Sequence, residues 1–111
     1  MYPDIPPNLK WVKPWEPLED SDEAKDLVEE LQDEMPPQHI LYGVPVIGLA
    51  RRIDCDDVLF MSSDPSKPLA LVHLTWHRET DPKWPSTTIY QSWQEWIEYC
   101  LLPAHHDYLK H

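Results

Sequence analysis

The sequence predicts an α+β domain in which a three-stranded antiparallel meander packs with two helices, in the order α-β-β-β-α. Three observations lead there. Thirteen prolines against two glycines divide the chain, because proline is excluded from helix interiors and central strands. The long proline-free windows, 18–35, 46–64, 69–81 and 86–102, must therefore hold the regular elements. The first and last windows carry apolar residues at helical spacing, whereas the middle two alternate as strands do.

Taken in order, residues 1–18 form an extended arm, and residues 19–108 form the body of a single domain spanning 1–111. The arm holds five prolines in its first 17 residues, with Trp11 and Trp15 as anchors onto the body. A helix is expected near 20–35. Asp20 and Glu23 make an Asp-x-x-Glu capping pattern, and Ala24, Leu27, Val28 and Leu31 make one buried stripe. Acids fill its other face, and Pro36-Pro37 ends it. The meander is expected over about 44–77. "VPVIGLARRI" and "DVLFMS" flank the turn-forming "DCD", and "DPSKP" leads into "LALVHLTWH". Pro45 and Gly48 mark the first of these strands as an edge or a bulged strand. A second helix is expected near 92–102, with Ser92 and Glu95 as its capping box. Its stripe is Trp93, Trp96, Ile97, Cys100 and Leu101, and Pro103 is its stop. Two helices over one sheet face would give two layers.

Composition narrows the function. With six Trp, five Tyr and one Phe, the chain has the aromatics that a disordered acidic chain lacks. The net charge is −11, of which −8 falls in residues 1–34 and −3 in the remainder. Such a field repels nucleic-acid phosphates and anionic lipid, and it favours a basic protein partner. Two cysteines far apart suit a reducing compartment. No apolar leader core or membrane-length apolar run is present, so a soluble cytoplasmic protein is expected.

The runs "VHLTW", "DPKWP" and "SWQEWIEYCLLPAHHDY" resemble those of a group of short acidic bacterial proteins with no assigned function. The likeness covers about residues 36–108. It implies a bacterial single-domain protein and transfers no activity and no site residue.

Chemistry is sparse. His73, Thr75 and His77 alternate along one expected strand and would share a face. "HLTW" fits the His-x-Thr pattern of the two-histidine phosphoesterases, which need two such motifs where this chain has one. His73 and His77 would stand about 13 Å apart at strand rise, too far to share one zinc. No metal ligand set and no cofactor cradle is therefore expected. A small enzyme or metal-dependent domain built on His73, His77 and the tail residues His105, His106 and Asp107 remains the rival reading. Cys55, flanked by three aspartates, is expected to be a poor thiolate, and Cys100 lies on an apolar stripe. Nothing assembles a nucleophile, a base and an oxyanion stabiliser, so no catalytic residue is assigned.

Tryptophan is the remaining anomaly. Trp76 alternates with Leu74 and Val72 and is expected to face the same layer. Trp84, in "DPKWP", has no periodic reason for burial; it either staples its loop to the small core or serves as a binding hot spot, where tryptophan is enriched. The leading expectation is a small acidic binding or inhibitor module, of the kind that neutralises a basic nuclease toxin by occlusion. Its partner-binding residues would be Asp26, Glu29, Glu30, Asp33 and Trp84. A regulatory or structural subunit with a partner that is not basic is the third reading.

Overall fold

The computed structural model describes residues 2–110. The chain is α+β, but its sheet has five antiparallel strands in sequential order, which overturns the three-stranded α-β-β-β-α arrangement. The elements are β1 (Trp15–Pro17), α1 (Ser21–Glu34), β2 (Val46–Arg52), β3 (Asp57–Ser62), β4 (Leu69–His73) and β5 (Ser86–Tyr90). A helical segment follows, made of α2 (Trp93–Trp96), a π-turn (Ile97–Leu101) and α3 (Leu102–Leu109).

The two unexpected strands have different origins. β1 lies inside the proline-rich arm, pairing Trp15 with Arg52 and Pro17 with Ala50. Proline is tolerated there because β1 is an edge strand, and burial of Trp15 (1% exposed) fixes the pairing. β5 occupies the "STTIY" that opens the last proline-free window. Its β-branched run, Thr87-Thr88-Ile89, is a strand signal overshadowed by the helical pattern that follows.

α1 begins where Asp20 caps it, accepting from the Asp22 and Glu23 backbone N–H groups at 2.8 and 3.4 Å. Leu27 and Leu31 sink against Val58, Phe60, Ala70 and Val72 on one sheet face. The opposite face carries Ala50, Leu59, Met61 and Leu69 under Trp93, Trp96, Leu101 and Ala104. The helices therefore lie on both faces, in three layers, not together on one. That explains why β3 reads as a continuous apolar run, since a strand covered on both faces has no polar side.

β2 is bulged as Pro45 and Gly48 suggested, with the register shifting between Gly48 and Ala50. The shift turns Ala50 to the second face while Gly48 stays under α1. A Cβ at Gly48 would stand 3.2 Å from Leu18 Cδ1 and 3.3 Å from the Ala24 carbonyl oxygen. Glycine thus lets α1 lie close on the sheet.

The arm closes the second core. Trp11 and Trp15 meet Trp96 edge-on at 5.6 and 5.5 Å, and Trp93 meets Trp96 at 5.8 Å. Three buried indole N–H groups there, on Trp15, Trp93 and Trp96, have no conventional acceptor. Edge-on packing offers them ring faces as weak acceptors. Pro103 does not stop the helix. The Leu102 N–H reaches back five residues to the Ile97 carbonyl, and Pro103 falls in the first turn of α3. Widening by one residue gives the proline, which has no N–H and crowds a normal helical turn, a place where the helix restarts.

Candidate functional site

The most unusual local chemistry lies where α1 ends against the β4–β5 connection. Glu34 is fully buried. One carboxylate oxygen accepts from the Thr75 N–H at 2.8 Å and the Thr75 hydroxyl at 3.0 Å. The other accepts from the Trp76 N–H at 2.9 Å. Its backbone carbonyl takes the Glu79 N–H at 2.9 Å. A buried carboxylate is tolerated only when so supplied with donors. The sequence explains the position: Glu34 follows Leu27 and Leu31 by seven and three residues, so it continues the buried stripe.

Glu30, one turn earlier, hydrogen-bonds Glu34. That bond, followed by burial and by the charges of Glu34 and Asp33, pushes the Glu30 carboxyl up to about 7. Glu30 therefore keeps its proton well above the ordinary carboxylate range, as a carboxyl beside a like charge does.

What Glu34 holds in place is strained. β4 ends at His73, and Trp76 has φ 61°, a left-handed conformation rare for a bulky side chain. Its indole is 51% exposed. The expectation that Trp76 faces the layer of Leu74 and Val72 is therefore corrected, because the strand ends before it. His39 anchors the other side of this region from within the buried body. Its Nδ1 accepts from the Leu41 N–H at 3.0 Å, and its Nε2–H donates to the Pro85 carbonyl at 2.8 Å. These bonds specify the tautomer. Loop 35–45 is thereby tied to the start of β5. A cleft of about 420 Å³ opens beside the end of α1, lined by Gln32, Asp33, Gln38, Tyr42, Arg78 and Glu79. Tyr42 is 52% exposed.

Of the residues singled out from sequence, Asp26, Glu29 and Asp33 are exposed along α1. Glu30 is half-buried and committed to Glu34, so it does not stand free in solvent with the others. Trp84 is 45% exposed, in a turn closed by its N–H on the Asp81 carbonyl at 3.0 Å. A second cleft, of about 390 Å³, lies on the other flank of α1 between Ala24, Val28, Glu29, Ile47 and Gly48. Sequence reasoning missed Glu34, His39, Tyr42, Trp76 and Arg78. Stripe position could have found Glu34, but the strain at Trp76 has no sequence signal.

The rival constellation is dispersed. His73 Nδ1 pairs with Asp57 at 2.7 Å across β3 and β4. His105 Nδ1 contacts the Lys13 carbonyl at 2.6 Å, tying α3 to the arm. Thr75 and His77 both lie beyond the end of β4, so neither shares a strand face with His73, contrary to the expected alternation. His106 and Asp107 are exposed on α3. Among the described residues, no group of three or more His, Cys, Asp or Glu side chains is placed to hold a metal ion. Burial, with the Asp57 charge assisting, raises the Cys55 thiol. Burial pushes the Cys100 thiol up to about 11. Neither is a ready nucleophile. Among the described residues, no helix is long and apolar enough to cross a membrane.

No protein-family model, curated protein or solved structure matches this chain.

Proposed function

We propose that the protein is an inhibitory binding module that occludes a basic protein partner, with a nuclease toxin as the specific case. One observation carries the reading. The exposed carboxylates of α1 share their helix with Glu34, which holds a half-exposed Trp76 in strained backbone. Strain kept at an exposed aromatic supports a binding position, since strained residues cluster at ligand clamps and recognition sites. Tryptophan supplies large contact area with little rotamer entropy. Asp26, Glu29 and Asp33 oppose the lysines and arginines that a nuclease uses to hold phosphate. Their field speeds encounter more than it adds affinity. Trp76, with Trp84, then supplies the desolvated contact that slows release.

The test is capture from a native host lysate on immobilised protein, followed by salt elution. A basic protein should elute, should be lost on the Asp26→Asn/Glu29→Gln/Asp33→Asn variant, and should be inhibited at one equivalent if it is a nuclease. Capture of only neutral or acidic proteins, or equal capture by the variant, contradicts the proposal.

A further inference from the structure

The sheet has two edges, and only one is protected. β1 is three residues long, carries Glu16 and ends in Pro17. Those are the usual devices that keep an edge from pairing. β5, at the other edge, has none of them. Its five residues, Ser86-Thr87-Thr88-Ile89-Tyr90, include no charge and no proline, and their register with β4 runs without a bulge. Among the described residues, no backbone hydrogen bond from outside β4 reaches Ser86–Tyr90. Alternate N–H and C=O groups of β5 therefore face outward with strand geometry already set.

We propose that β5 is a dimer seam, at which a second copy of this chain adds antiparallel and joins two five-stranded sheets into one of ten. Charge selects the occupant. A basic segment finds no carboxylate on β5, whereas a second copy meets neutral residues in pairs. About a two-fold axis near Thr88, Thr88 lies opposite itself, Thr87 opposite Ile89 and Ser86 opposite Tyr90. β-Branched and aromatic neighbours of this kind favour cross-strand contact, and no like charges oppose each other. β5 itself carries none of the net −11, of which −8 belongs to residues 1–34. Repulsion between two acidic copies remains at long range and is screened by salt. The dimer therefore tightens with added salt, opposite in sign to capture of a basic partner.

Sedimentation velocity over a concentration series, at low and high salt, tests this. Wild-type protein should show a reversible monomer–dimer equilibrium that shifts toward dimer as salt rises. Thr88 is exposed on the strand, so Thr88→Lys and Thr88→Glu should keep the wild-type melting temperature, and each alone should be monomeric. Mixed in equal amounts they should form a heterodimer, an outcome that a mere folding defect does not produce. Wild-type protein that stays monomeric at its highest soluble concentration overturns the proposal. So does dimerisation of either charge variant alone, or a mixture that remains monomeric. Protection of the β5 amides from hydrogen exchange only when a heterologous protein is bound assigns the edge to that protein and also overturns it.

Discussion

Trp76 and the Glu30–Glu34 pair make separable claims at the scale of single residues. An aromatic residue at φ 61° carries a left-handed penalty of about 1–2 kcal/mol that glycine does not. Trp76→Gly and Trp76→Ala delete the same indole, so comparing them isolates the backbone. The glycine variant is expected to be more stable by about 1 kcal/mol in urea denaturation, while both lose partner affinity through faster dissociation. Equal stability would remove the argument from strain. The carboxyl pair gives a pH dependence of definite sign. Glu30 is raised to about 7 from an ordinary value of 4.5. Its stabilising proton is therefore fully present below the ordinary value and lost as pH rises through about 7. Asp64 runs the other way: hydrogen bonds from Ser66, then Lys67, hold it down to about 2, so its contribution is lost only in acid. Glu30→Gln keeps a donor toward Glu34 at every pH. Its melting temperature should fall less than that of wild type between pH ~5 and ~8. Parallel profiles would show that the Glu30 proton contributes nothing.

The elements show what could be read from residues alone. α1 was legible because its cap and apolar stripe are local, and the strands over 46–62 and 69–73 were legible because turn residues bound them. β1 was not, since a three-residue strand ending in Pro17 exists only through pairing with β2 and burial of Trp15. The helix running past Pro103 was not, since a π-turn is a geometric solution without a sequence signature. Layering was also hidden. Each face of β3 looks the same in sequence, and the bulge beside Gly48 reverses the parity on which any facing argument rests. Of the site, the exposed acids of α1 were readable, whereas Trp76 was misplaced because β4 stops three residues before it. The contact at Gly48 offers a test of the α1 docking. Gly48→Val pushes branched atoms toward Leu18 and the Ala24 carbonyl, and is expected to cost about 2 kcal/mol in chemical denaturation. An unchanged midpoint would mean that α1 does not lie so close.

At the scale of the whole molecule, the proposed function divides recognition between charge and aromatic surface. The acids lie along α1, outside the hydrogen-bonded cores, so they can be altered without undoing the fold. The triple variant Asp26→Asn/Glu29→Gln/Asp33→Asn removes three exposed charges and retains Glu30 for Glu34. Each substitution should change stability by no more than about 0.5 kcal/mol. The most direct test is the association rate of this variant with the captured basic partner, measured by stopped flow from low to high salt. The expected result is a slower on-rate than wild type at low salt, with the two converging as the charges are screened, and little change in the off-rate. An on-rate equal to that of wild type at low salt would contradict electrostatic steering by α1, and with it the proposal of a basic partner.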